Sequence, residues 1–312
     1  MQTAQTTPRI SGGGTRPRLR RTILGLLKPY LFLAPFLIFF ILVVAYPVGY
    51  AGYLSLFGQR GARMWYVGFS NYQAILTDHK FWEGFKIPLY LLLVQIPLML
   101  VLATFIGLLY ERIRFSRVFR LIFYLPYAIP GIIAGILWSY IFSKSMSPFI
   151  PLFKLVGLHH FQFITQSNIP WILLVIILWE WTGYTSLIIY SALLAIPKEY
   201  TEQAEIDGAN YLQAALHIKV PLLRNTVLIL FIFNAIGALQ VFNEPWMLGG
   251  IGNFSMIALP PNYTPAMYIY NQAFNYGAFT YATAMALILA VIIFAVSFCF
   301  MRMSVKVLQS HE

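Results

Sequence analysis

Long intervals without charge limit this chain's fold more than any motif does. Thirty-one uncharged residues separate Lys28 from Arg60, 24 separate Lys86 from Glu111, and 23 separate Arg120 from Lys144. The 25 between Lys154 and Glu180 include the polar run GLHHFQFITQSNIP, so that helix is placed from Pro170 past Glu180 to Leu194. A fifth stretch joins Arg224 to Glu244, and 57 uncharged residues follow before Arg302. The first half of that last interval, GGIGNFSMIALPPNYTP, is broken by Gly and Pro, whose freed backbone groups lipid cannot satisfy, so one span is assigned there. About 20 apolar residues cross a bilayer. The expected fold is all-α, a polytopic membrane protein with six transmembrane helices near 30–54, 87–110, 119–143, 170–194, 225–246 and 278–301. A basic tail, 1–28, precedes them, and loop 195–224 joins the fourth to the fifth.

Composition supports this class. The chain is 59% apolar and 10% charged, against about 25% charged in soluble domains, which excludes a soluble enzyme or a disordered chain. A net charge of +11 raises nucleic-acid binding, which requires the basic residues on one folded aqueous surface. They are instead divided by the spans. Fifteen fall on one side: Arg9, Arg16, Arg18, Arg20, Arg21 and Lys28 in the tail, Arg112, Arg114, Arg117 and Arg120 after the second span, Lys198, Lys219 and Arg224 in the 195–224 loop, and Arg302 and Lys306 at the end. Six fall on the other. By the positive-inside rule both termini are cytoplasmic, and no nucleic-acid partner is expected. The first apolar stretch is too long for a cleaved signal peptide, and Arg20–Arg21 is read as part of the tail rather than a twin-arginine signal. Cys299 is the lone cysteine, and His159–His160 is a solvated loop pair, so no metal site and no cofactor are expected.

The 195–224 loop carries Glu199, Glu202, Glu205 and Asp207, four of ten acids. Pro197 suits a first helical position, Glu199 and Glu202 complement a helix dipole, and Gly208 suits a stop. A second short helix from Asn210 to Lys219 is expected to end at Pro221. This bent pair could lie on the lipid surface or dock in a partner's groove. Its acidic first helix favours docking, because the inner leaflet is itself negative.

The run Glu202-Gln203-Ala204, with Asp207, Gly208, Ile218 and Pro221, resembles the E-A-A…G…I…P loop of binding-protein-dependent ABC importers. EQAEIDGANYLQAALHIKVPLL is similar to the carbohydrate branch of that family, with Gln203 and Val220 where alanine and leucine are usual. LFLAPFLIFFILVVAYPVGYAGYLSLF, YLPYAIPGIIAGILWSYIF and MYIYNQAFNYGAFTYATAMALIL resemble its first, third and sixth helices, in order and at matching spacing. The resemblance implies that the loop forms coupling helices seated on an ATPase. It also implies a second related permease, two ATPase subunits and an external solute-binding protein, in a prokaryotic cytoplasmic membrane.

Polar residues within spans are functional candidates. Glu180, in ILWEWTGYTSLIIY, could be an ion-pair partner, a snorkelling group or a solute-pathway residue. Trp181 and Tyr184 within one turn share its side of the helix and offer a sugar its C–H-facing rings beside an acceptor. The resemblance to maltose-type permeases places solute contacts at Tyr127, Gly131, Glu180, Trp181, Tyr184 and Asn234. Ala238 and Val241 stand at two further matching positions without polarity, for which Gln240 and Asn243 could compensate. Asn234 could equally make an interhelical hydrogen bond. Pro126, Pro130 and Gly131–Gly135 read as a kinked helix with a small-residue packing face.

The sequence therefore reads as the permease subunit of an ATP-driven importer for a di- or oligosaccharide. It lacks the G-x-x-x-x-G-K-[ST] phosphate loop, so hydrolysis belongs to partner subunits and the chain is not an enzyme. Its competitors are a self-contained secondary transporter, which would show an internal repeat and more intramembrane charge, an integral-membrane enzyme, for which the intramembrane acids are too sparse and no nucleophile or metal motif is present, and a permease for glycerol-phosphate-type solutes.

Overall fold

The computed structural model describes residues 30, 32–113, 116–143, 147–148, 151, 155, 165, 167–249 and 259–309. The expected tail 1–28, His159 and His160 lie outside them. Among the described residues five helices are long and apolar enough to cross a membrane, and a bent pair makes a sixth candidate.

Helix α1, Phe32–Leu54, lies up to Tyr53 in a unit of its own. It is apolar on every side and none of its apolar window is buried. Such a surface needs lipid or another chain around it.

The second unit begins at Leu54. Strands β1, Phe57–Arg60, and β2, Arg63–Tyr66, form a hairpin in register Phe57↔Tyr66 to Arg60↔Arg63. The sequence reading had no strand here, because four-residue strands are too short to show alternation. After α2, Ser70–Leu76, Asp78 caps α3, His79–Arg112, by accepting from the Lys80 and Phe81 amides.

The third span is broken. Helix α4, Arg117–Ala128, and helix α5, Gly131–Ile141, meet at 97°. Pro130 removes a backbone donor and forces Ile129 out of helical geometry, to φ −87° and ψ 123°. The expected kinked helix over 119–143 is thus two helices. The small face of the second serves packing: a Cβ on Gly135 would stand 2.6 Å from Met247 Cβ.

Helix α6, Ile169–Leu194, is the central element, with more than half of its apolar window buried. It packs along α3 in a core of Leu91, Ile96, Leu100 and Ala103 against Ile172, Leu173, Ile176 and Ile189. Two short helices follow, α7, Lys198–Ile206, and α8, residues 211–222. Pro197 caps α7 from outside instead of standing inside its first turn. Pro221 does not end α8, because it lies where the helix re-forms after a wider turn over Ala215–Lys219 and its missing N–H is not needed. Helix α9, Arg224–Leu239, breaks at Gln240 and resumes as α10, Asn243–Leu248. Helix α11, Pro265–Tyr270, precedes α12, Phe279–Gln309. A second core joins Ile75, Phe81 and Phe85 to Tyr268, Ala284, Met285 and Leu289.

Candidate functional site

Tyr127, Trp181, Tyr184 and Asn234 converge on one cavity of about 520 Å³ between the end of α4, α6 and α9. Pro126 opens a tight turn over Leu125–Ala128 that turns Tyr127 towards α6. Its ring stacks on Tyr184 at 4.3 Å and 11°, and meets Trp181 edge-on at 5.2 Å. Trp181 and Tyr184 are one turn apart on α6, so one helix face supplies two walls of the trio. Asn234 donates to the Leu230 carbonyl of its own helix at 2.7 Å. Its amide nitrogen is therefore engaged within α9, not across helices.

A smaller cavity of about 220 Å³ shares Trp181, Phe233, Asn234 and Gly237 with the first. Its added polar lining is Gln95, Gln240, Asn243 and Glu244. Gln240 and Asn243, the compensating pair considered from the sequence, are thus brought here together with Ala238 and Val241. Gln95 was missed, although a lone amide in LYLLLVQIPLML is itself a signal. A larger groove of about 700 Å³ is lined mostly by apolar side chains of α9, α11 and α12. It does not gather the convergent polar groups expected of a solute site.

Gly131 and Glu180 line neither of these two cavities. Glu180 is 4% exposed, and its Oε2 has no donor among the described residues. A Cβ on Gly131 would stand 2.8 Å from Glu244 Oε1. Gly131 therefore stands behind the wall, against the glutamate that lines it. Among the described residues no three His, Cys, Asp or Glu side chains come together.

The α7–α8 segment presents a different surface. Glu202, Gln203 and Asp207 are exposed, while Ala204 is buried. Gly208, at φ +85°, turns the chain after α7, and the Ala209 amide closes the turn on the Ala204 carbonyl at 2.9 Å. Asn210 and Gln213 then form a reciprocal cap on α8. Ile218 is half-buried and Pro221 exposed. Tyr200, Ile206, Leu212 and Leu216 leave apolar surface in water around these acids.

The segment is fastened to the end of α3. Lys219 Nζ donates to Glu111 Oε2 at 2.7 Å, and the Tyr211 hydroxyl donates to the same oxygen and to the Leu108 carbonyl. Arg112 covers the Tyr211 ring at 4.0 Å. Burial, and then the adjacent Glu111 charge, push the Tyr211 phenol up to about 12, which keeps it a donor. Both charges of the ion pair are largely buried, with side chains 12% and 18% exposed. Lys219→Met leaves Glu111 without its cation and is expected to cost about 3 kcal/mol. Thermal unfolding, with proteolysis at the α7–α8 segment as the local readout, measures it. Adding Glu111→Gln should recover much of the loss, and equal stability of Lys219→Met and wild type would remove this anchor.

Residues 99–307 match the family model described as "Binding-protein-dependent transport system inner membrane component". The chain is 29% identical over 291 residues to the sulfoquinovosyl glycerol transport system permease protein SmoG of Agrobacterium fabrum, covering 90% of each chain. It is 28% identical over 281 residues to the arabinooligosaccharides transport system permease protein AraP of Bacillus subtilis, covering 88% of each. Among solved structures, a chain of a bacterial ABC transporter for the acidic polysaccharide alginate is similar in fold. There the TM-score is 0.78 at 21% identity, over 93% of this chain and 99% of that one.

Proposed function

We propose, for a chain that belongs to the binding-protein-dependent transport system inner membrane component family, that its transported solute is a carbohydrate of di- or oligosaccharide size. The family is one of permease subunits, which are not themselves enzymes, and the chain is an integral membrane protein of that kind. The observation that carries the solute class is the aromatic trio of Tyr127, Trp181 and Tyr184 around the cavity shared with Asn234. Flat rings accept the C–H faces of a sugar, amides at their edge accept from and donate to its hydroxyls, and carboxylates accept from them. Relatives named for sulfoquinovosyl glycerol, arabinooligosaccharides and lactose support the same class.

In this reading Tyr127, Trp181, Tyr184 and Asn234 line the pathway, and Gly131 and Glu180 shape it from behind. A second, related permease completes the translocation unit, two ATPase subunits hydrolyse ATP, and an external binding protein delivers solute. Glu202, Gln203, Ala204, Asp207, Gly208, Ile218 and Pro221 form the ATPase-docking surface, with both termini on the same cytoplasmic side. Exposed apolar side chains beside the acids of α7 support that docking. ATP biases the two access states through the partner, since a ligand shifts an equilibrium only by its differential affinity.

The test is uptake of labelled sugars by vesicles carrying the whole assembly. Wild type should transport only with ATP inside, and Tyr184→Ala should lose about tenfold or more with assembly intact, since an aromatic pair is worth about 0.5–1.5 kcal/mol beyond its buried area. Uptake driven by an ion gradient without ATPase partners would overturn the reading. Unchanged uptake by Tyr184→Ala would remove that ring from the pathway.

A further inference from the structure

We propose that the cleft between the first half of α4 and α6 binds one anionic phospholipid, with Arg117 and Arg120 holding its phosphate. The cleft has a volume of about 370 Å³ and is lined by Arg117, Arg120, Leu121, Tyr124 and Leu187. It lies at one end of the membrane-crossing region. Arg117 opens the apolar bent pair, and Leu187 stands about two turns before α6 ends at Leu194.

The cleft forms where the two helices diverge. They touch at Gly183, where a Cβ would overlap the Phe123 carbonyl. One turn further along α6, Leu187 faces the cleft instead. Another turn on, Arg120 reaches across to cover the Tyr190 ring at 4.9 Å. Tyr110 of α3 meets that ring edge-on at 5.7 Å and shares a hydrogen bond with the Ser186 hydroxyl, so the platform under Arg120 is held from a third helix.

Charge selects the occupant. The sequence from Arg112 to Arg120 contains four arginines and no acid. Glu111, just before it, is engaged by Lys219 and Tyr211, and none of the five lining residues is acidic. Arg120 turns the face of its guanidinium to a ring, and the N–H donors of a guanidinium lie in its plane, in a fork that fits a phosphate. Arg117, exposed, adds a second positive charge one turn away. The remaining lining is apolar or aromatic, and Val118, Leu121 and Ile122 of the same helix are more than half exposed. A lipid answers both needs, because its phosphate meets the guanidiniums and its acyl chains cover the apolar side chains. A soluble anion answers only the first. An orientation signal needs the charges but no cleft.

Native mass spectrometry of the full chain, purified in detergent with its partner subunits, tests the site. The probes are dioleoylphosphatidylglycerol, zwitterionic dioleoylphosphatidylcholine and inorganic phosphate, and the readout depends neither on the solute nor on ATP. Wild type should retain phosphatidylglycerol in preference to phosphatidylcholine. Arg117→Ala and Arg120→Ala should each weaken that retention about fivefold, the contribution of one basic residue near an anionic membrane surface. Arg63→Ala, on the exposed hairpin, should change nothing. Equal retention of the two lipids, undiminished retention in the arginine variants, or displacement of the lipid by inorganic phosphate would overturn the proposal. Loss of partner subunits from these variants with lipid retention intact would do the same, assigning the arginines to a protein interface. In the wild type, phosphatidylglycerol with a photoreactive acyl chain should label α4 between Arg117 and Tyr124 and α6 around Leu187. Labelling that avoids both segments would overturn the site even if a variant fails to accumulate.

Discussion

Gly183→Ala is expected to lower the stability and folded yield of the chain sharply. At this point α6 touches the backbone of α4: a Cβ on Gly183 would overlap the Phe123 carbonyl oxygen and carbon and stand 3.1 Å from the Tyr124 amide nitrogen. Backbone atoms in a helix cannot rotate aside as a side chain can, so the two helices must separate. Overpacking a close contact costs about 1–3 kcal/mol and sometimes more. The upper end applies here, because the obstacle is main chain. Tyr127 is carried at the end of the displaced helix, so the stacked ring pair with Tyr184 would open as well. The measurement is folded yield and thermal midpoint in detergent. Gly237→Ala is the control, since a Cβ there meets nothing within 4 Å and alanine is the better helix former by about 1 kcal/mol. The same chemical change should therefore act with opposite signs at two helical glycines. Equal behaviour of the two variants would contradict the α4–α6 backbone contact.

Gly208→Pro should leave the chain in the membrane yet abolish ATP-driven uptake. Gly208 has φ +85°, whereas proline fixes φ near −65°. The substitution also removes the Gly208 amide that donates to the Glu205 carbonyl at 3.1 Å. The turn between α7 and α8 would then take another path, moving Glu202 and Asp207 relative to Leu212 and Leu216. No side chain lies within 4 Å of a Cβ at Gly208, so the damage would come from the backbone conformation alone. Co-purification of ATPase partners should be lost, together with uptake. Gly208→Asn should retain much of both, since asparagine visits the left-handed region more readily than other residues. Normal partner capture by Gly208→Pro would refute the docking surface proposed for this segment.

How much of this was legible beforehand depended on the range of the interactions. Charge-free intervals located the spanning helices because the cost of burying charge in lipid is set locally, residue by residue. Gly208 was legible as a helix stop for the same reason: its left-handed conformation belongs to one residue. The 97° break was not, because Pro130 signalled only an interruption, and its angle depends on what receives each half. The seat for α5 is α10, a six-residue helix that exists because α9 breaks at Gln240. Nothing periodic in FNEPWML marks it.

The candidate site divides in the same way. Trp181 and Tyr184 were visible as neighbours because helical spacing alone puts them on one side. Tyr127 and Asn234 come from other helices, and only their packing brings them to the same cavity. Glu180 was conspicuous as a charge inside a span. That it is buried rather than lining either cavity depends on how the helices around α6 pack. The sequence alone determined that this chain lives in a membrane, roughly where its long apolar helices lie, and which family it resembles, because hydrophobicity, charge and short motifs are properties of segments. Tertiary structure decided which polar groups share a cavity, because that requires helices distant in sequence to meet at particular faces.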